Sequence, residues 1–232
     1  MINMNVAFIP VRGGSKSIPL KNIKQINGKP LVYWTVKAAC ESNYIDVVYV
    51  STESENIRRV INEIKLKNKS ACFNKLNVID RSAESASDTA STEFVMLEFA
   101  EKYNFDNICL IQATSPMLKS SDIDNGFKLF NSDGTDSVLS VVRQKRFNWA
   151  TDSKGFVHPL NYDVFNRPRR QDFDGYLVEN GAFYITSKSD LVNSKNRLSG
   201  NIKACEMDES TYFEIDEPSD WIITEELLKH YN

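Results

Sequence analysis

The feature that most constrains this chain is an alternation. Short apolar runs ended by turn residues trade places with stretches whose apolar residues recur every three or four positions. The run at 6–11 stops at Gly13-Gly14, and the β-branched Val47, Val48 and Val50 stop at Ser51-Thr52, the pattern of buried strands. Between them Pro30 opens a helix bearing Leu31, Trp34 and Ala38. Ile57, Val60, Ile61 and Ile64 then put one apolar stripe on a second helix. The rhythm continues with a strand at 76–79, a helix over 92–103 and a strand at 108–111. Ile123, Phe127 and Phe130 mark a further helix, and 138–142 a further strand. Such an order predicts an α/β fold with a mostly parallel central sheet sandwiched by helices. Ligands of such sheets sit beyond the carboxyl ends of the strands.

The periodicity fails over 143–180, where Arg, Asn, Pro and Asp dominate. Strands return at 182–186 and 202–206, and Pro218 opens a last helix carrying Trp221, Ile222 and Leu228. The expectation is one domain over 1–232 with 143–180 as an excursion from it. A formal charge of −3, from 28 basic and 31 acidic residues spread along the chain, leaves no basic stripe for a nucleic-acid backbone. No leader pattern opens the chain, and no apolar run approaches the ~20 residues of a membrane helix, so a soluble cytoplasmic protein is expected. Cys40, Cys72, Cys109 and Cys205 are too widely spaced for a zinc site or disulfide framework and read as reduced core residues.

The first strand runs into Arg12-Gly13-Gly14-Ser15-Lys16, followed by Lys21 and Asn22. Glycines let backbone N–H groups approach an anion, and Arg12, Lys16 and Lys21 supply charge for a polyphosphate. Elsewhere a Gly-Gly turn with solvated lysines would be an ordinary surface turn; its place after strand one of an α/β sheet argues for the nucleotide. The spacing fits neither GxxxxGK[ST] nor GxGxxG, which disfavours a P-loop ATPase and an NAD dehydrogenase. Near the C-terminus, Phe213-Glu214-Ile215-Asp216 reads as a strand with two carboxylates on one face, a pair of hard oxygen ligands for Mg²⁺ or Mn²⁺. The competing reading is two exposed carboxylates before a helix. His158 and His230 have no evident nucleophile partner, so a covalent intermediate is not expected.

The run from Ile9 to Asn22, IPVRGGSKSIPLKN, resembles the signature loop of the CMP-sialic acid synthetases (acylneuraminate cytidylyltransferases), usually read IPARGGSKxIPxKN. Arg81 with Ala86-Ser87-Asp88-Thr89-Ala90-Ser91 is similar to the family segment that reaches cytidine and phosphates, and Gln112-Ala113-Thr114-Ser115-Pro116 to its QPTSP turn. Arg167-Pro168-Arg169-Arg170-Gln171-Asp172, followed by Glu179-Asn180-Gly181, is similar to its dimerisation segment, although three arginines so close also suit a solvated basic loop. The family usually has IDID where this chain has Glu214 and Asp216.

The resemblance implies a Rossmann-like nucleotidyltransferase, homodimeric with shared active sites, that joins CMP from CTP to a nine-carbon sugar acid. It implies catalytic roles for Arg12, Lys16, Lys21 and Asp216, and nucleotide contacts from Gly13, Gly14, Ser15, Asn22, Arg81, Ser87 and Thr92. Gln112, Thr114, Ser115, Arg169, Arg170, Gln171 and Asn180 would meet the sugar acid, and Asp216 with Glu214 the metal. Ser91 or Thr92 equally suits a helix N-cap, and a helix N-terminus also receives anions. A CMP-Kdo synthetase, whose loop usually reads IPARxxSxRxPGKPL, is the second enzyme reading, and CMP-pseudaminate synthesis stays open with the choice of acid. A catalytically idle nucleotide-binding module on the same fold is the alternative of another class.

Overall fold

A computed structural model of the chain describes residues 3–231. The first unit is β1 (Asn5–Pro10), a loop, a two-residue hairpin of β2 (Gln25–Ile26) and β3 (Lys29–Pro30), and α1 (Leu31–Glu41). Then come β4 (Val47–Ser51), α2 (Glu55–Lys67), β5 (Leu76–Ile79), α3 (Thr92–Lys102), β6 (Asn107–Ile111), α4 (Ser120–Phe130) and β7 (Ser137–Gln144). A small hairpin of β8 (Trp149–Thr151) and β9 (Val157–Pro159) leads into β10 (Tyr176–Ser187), α5 (Lys188–Ser194), β11 (Ile202–Met207) and α6 (Pro218–Tyr231).

Seven strands form the central sheet in the order β11-β7-β10-β6-β1-β4-β5. All neighbours are parallel except β10, which runs antiparallel to both β6 and β7. Every residue of β6 is buried, as a strand covered on both faces must be. On one face Val32 and Val36 of α1, Ile57 and Ile61 of α2 and Phe127 of α4 close over the sheet. On the other, Met96 and Phe99 of α3 and Leu191 of α5 pack on Phe8 and Leu110. A third cluster joins Trp221 and Leu228 of α6 to Ile18, Ile26 and Ile215, so the last helix pins the loop that follows the first strand.

Several expectations change. Ile222 is 68% exposed, and α6 buries Trp221, Thr224 and Leu228 instead, because its contact stripe follows the 3.6-residue turn from Trp221. Cys72 is only half-buried, while Cys40, Cys109 and Cys205 are core thiols, and all four are free. The stretch 213–216 is not a strand. Its ladder bonding is limited to Ile215 N–H donating to Thr114 O at 2.9 Å, and Ile215 alone turns into the core. The excursion is the long connection between antiparallel β7 and β10; both strands project into it, pairing Gln144 with Tyr176 and Val141 with Glu179. Phe147, Trp149, Tyr162, Phe173 and Tyr176 form an aromatic cluster at its base.

Candidate active site

The carboxyl ends of β1 and β6 and the segment that follows β5 face one cleft. Val11 N–H donates to Ser51 O at 2.9 Å, extending the β1–β4 pairing by one residue before the chain departs. Gly13 then passes so close to the start of α2 that a methyl carbon there would stand 3.0 Å from Ser54 Cβ, and its N–H donates to Glu53 Oε1 at 2.6 Å. Buried Asn22 closes the loop by donating from Nδ2 to Arg12 O at 3.1 Å. Lys21 is drawn to the far end of the chain, its Nζ donating to Ile215 O at 2.8 Å and Asp216 Oδ1 at 3.2 Å.

The cleft, about 300 Å³, is lined by Arg12, Lys21 and Asn22, by Arg81, Ser87 and Thr92, and by Gln112 and Thr114. Arg81 donates through Nε to Ser85 O at 3.0 Å, and burial lowers its pKa. Ser91, not Thr92, caps α3, its Oγ accepting from Phe94 N–H at 3.1 Å. Asp88, on the same segment, bridges Arg12 Nη1 at 2.5 Å and Lys16 Nζ at 2.9 Å. Lys16 and the charge-assisted hydrogen bonds it leads hold the Asp88 carboxyl below its usual range. Lys16 is thus at the exposed rim, with Ser15 half-buried and Gly14 in open space.

Glu214 reaches back under β10. A methyl carbon at Gly181 would stand 2.8 Å from Glu214 Oε2 and 3.5 Å from Gln112 Oε1, so Gly181, Glu214 and Gln112 are packed together. Gly181 has φ +66° and lies where the register of β10 against β7 shifts. Burial first, then the charge of Asp216, push the Glu214 carboxyl up. Among the described residues no group of three His, Cys, Asp or Glu could hold a metal ion by itself. Two neighbouring carboxylates beside cationic loop residues nevertheless fit a hard divalent cation whose other ligands are phosphate oxygens and water.

The remaining predicted residues lie elsewhere. Ser115 is buried behind the cleft wall. Asn180 is 2% exposed and turned inward, its Nδ2 donating to Thr211 Oγ1 at 3.1 Å and Thr211 O at 3.2 Å, because β10 is buried from that point through Thr186. Arg169, Arg170 and Gln171 do not line the chain's own cleft. Arg169 Nε donates to Asp172 Oδ2 at 2.6 Å, Arg170 lies 3.9 Å from Glu209, and Gln171 is exposed. Sequence reasoning gave no role to Glu53 or Asp88. Position just beyond the carboxyl end of β4 could have singled out Glu53, and Asp88 sits inside a segment already recognised.

The fold is a helix-sandwiched α/β sheet with a cation-lined cleft beyond the carboxyl ends of its central strands. The fold is that of the solved CMP:2-keto-3-deoxy-manno-octonic acid synthetase complexed with CTP, with a TM-score of 0.72 at 16% identity over 99% of this chain and 100% of that one. It is equally that of 4-diphosphocytidyl-2C-methyl-D-erythritol synthase from Anaerococcus prevotii, with a TM-score of 0.71 at 11% identity over 98% and 96%. The chain belongs to the cytidylyltransferase family, whose model matches residues 6–208. It is 38% identical over 97% of its length to N-acylneuraminate cytidylyltransferase A of Danio rerio and 39% identical, again over 97%, to N-acylneuraminate cytidylyltransferase of Oncorhynchus mykiss. It spans about half the length of these curated relatives, 51% and 50%. CMP-N,N'-diacetyllegionaminic acid synthase of Legionella pneumophila is 29% identical over 97% of this chain and 96% of its own.

Proposed function

We propose that this chain transfers CMP from CTP to a nine-carbon sugar acid of the sialic acid type and releases pyrophosphate. The observation that carries the reading is the joining of the first-strand loop to Ile215 O and the Asp216 carboxylate through Lys21 Nζ, which puts cations and hard oxygen ligands at one mouth of the cleft. The relatives' names point to the sugar acid.

In this reading the anomeric hydroxyl oxygen forms a bond to the α-phosphorus while the bond to the bridging oxygen of pyrophosphate breaks, and the hydroxyl proton passes to solvent. Arg12, Lys16 and Lys21 hold the phosphates and offset charge on the leaving pyrophosphate. Gly13, Gly14 and Ser15 bring backbone donors to the same oxygens, and Asn22 keeps the loop closed. Arg81, Ser87 and Thr92 line the nucleoside end, and Gln112 and Thr114 form the wall toward the sugar, with Ser115 buried behind it. Asp216 and Glu214 would hold Mg²⁺ or Mn²⁺, which supplies Lewis-acid polarisation of the phosphates when bound.

Arg169, Arg170 and Gln171 complete a sugar-binding end from a partner copy. Phe156, Val157, Leu160, Val164 and Phe165 of the same excursion are all exposed, and so many apolar side chains concentrated on one segment support that docking. No helix among the described residues is long and apolar enough to cross a membrane. The nucleotide substrate is intracellular, so the reaction belongs to the cytoplasm.

Pyrophosphate release from CTP, assayed against N-acetylneuraminate, Kdn, legionaminate, pseudaminate and Kdo, tests the proposal. Release with one of the nine-carbon acids is expected. Release with Kdo alone, or with none, would refute it.

A further inference from the structure

The two loop cations at the cleft mouth already hold an anion. Arg12 Nη1 lies 2.5 Å from Asp88 Oδ1 and Lys16 Nζ 2.9 Å from Asp88 Oδ2, so one carboxylate spans both as two oxygens of a phosphate would. A second carboxylate, Glu53, takes the Gly13 N–H at 2.6 Å. Three donors suited to a polyphosphate thus face acidic side chains from two different segments.

The segment carrying Asp88 can yield. Residues 82–90 belong to no strand or helix and are held by turn bonds, Ala86 N–H to Ser82 O at 3.0 Å, Ser87 N–H to Glu84 O at 3.2 Å and Ala90 N–H to Ser87 O at 3.4 Å. Its two ends are firmer. Arg81 is tied to Ser85 O, and Ser91 caps α3. Asp88 lies between these anchors with half its side chain exposed.

We propose that Asp88 is an internal stand-in for a phosphate group, and that polyphosphate enters the cleft by exchange for it, so that Asp88 lowers the cleft's affinity for CTP. The inference deepens the CTP reading and rests on it. Its sign is the opposite of an ordinary binding residue's. A side chain that contacts nucleotide or metal weakens binding when neutralised, whereas a competitor tightens it. The exchange gives the cleft a faster release of a highly charged product, since the same carboxylate stands ready to retake the cations as pyrophosphate departs.

Isothermal titration in EDTA, with CTP, inorganic tripolyphosphate and cytidine as separate probes, tests this on the unaltered protein, Asp88→Asn and Asp88→Glu. Neutralising Asp88 is expected to tighten CTP and tripolyphosphate by roughly fivefold, the scale of two exposed ion pairs. Cytidine, which carries no phosphate, is expected to bind the unaltered protein and Asp88→Asn equally. Asp88→Glu keeps the charge and is expected to bind as the unaltered protein does. Unchanged or weaker binding of the two phosphate probes by Asp88→Asn overturns the proposal. So does equal tightening of cytidine, or Asp88→Glu matching Asp88→Asn. If the unaltered protein fails to bind CTP while tripolyphosphate still separates the variants, the exchange stands and the nucleotide reading falls.

Discussion

Gly181→Ala separates the work of Glu214 from the stability of the strand that carries it. Gly181 has φ +66°, a left-handed conformation that costs an L-residue about 1–2 kcal/mol. Gly134 has φ +72° and nothing within 4 Å of an added methyl carbon, so Gly134→Ala carries that cost alone. At Gly181 the methyl carbon would also stand 2.8 Å from Glu214 Oε2. Relieving that contact takes a carboxylate shift of roughly half an ångström, which the flexible Glu214 side chain absorbs at about 1 kcal/mol or less. The two variants should therefore lose similar stability, within about 1 kcal/mol of each other by urea denaturation. Turnover should diverge. Displacing a metal-holding carboxylate typically costs on the order of 10-fold or more, so Gly181→Ala should fall at least that far and need more Mg²⁺ for half-maximal rate. Gly134→Ala should keep the unaltered rate. Equal turnover in both variants, with equal stability loss, would refute the placing of Glu214 at the reacting phosphates.

Glu214→Gln should show opposite signs in stability and activity. The folded Glu214 holds its proton above the ordinary value of 4.5, so stability falls as pH rises from 4.5 through the folded pKa. In EDTA at pH 7 the glutamine variant should melt higher than the unaltered protein and lose that advantage below pH 4.5, while turning over more slowly with Mg²⁺; a lower melting point at pH 7 would contradict the burial argument. Exhaustive EDTA treatment should abolish turnover and added Mg²⁺ restore it, and Asp216→Asn should lower kcat with an unchanged far-UV circular dichroism spectrum. Full activity in EDTA would end the metal assignment. Mixing Arg169→Ala/Arg170→Ala chains with Asp216→Asn chains should regenerate activity above either variant alone, since some mixed dimers hold one unaltered site. No recovery despite proven subunit exchange would place each site within one chain.

The strands that bury both faces were the most legible part of the chain. The 6–11 and 108–111 runs coincide with β1 and β6 to within a residue, because nothing but a covered strand tolerates such continuous apolar character. The first third of β10, Tyr176–Glu179, was hidden. It pairs with β7 while leaving three of its four side chains exposed, so its bonding has no trace in hydrophobicity. The reversal of β10 was equally invisible, since periodicity marks a strand and not its direction. At 213–216 the alternation Phe213, Ile215 suggested a strand where the sheet offers only Thr114 O as a partner. In the site, the cationic loop was read from its glycines and basic residues directly after the first strand, not from any motif spacing. Asn180 misled because a buried amide and a ligand-binding one look alike in sequence, and Asp88 and Glu53 are common exposed acids until the fold sets them against Arg12 and Gly13.

Lys21 and Asp216 are 195 positions apart, Ser17 and Glu217 200, yet each pair is hydrogen-bonded across the mouth of the cleft. A ribosome delivers the first member of each pair long before the second. Contacts so distant along the chain close late, after the loop-closure entropy of the intervening sheet has been met. The glycine loop must therefore wait, with the sheet formed beneath it, until 214–217 has emerged and α6 has docked Trp221 and Leu228 beside Ile18. A nascent chain can carry the whole central sheet with the mouth of the cleft still open, and the mouth closes in one step once 214–228 has emerged.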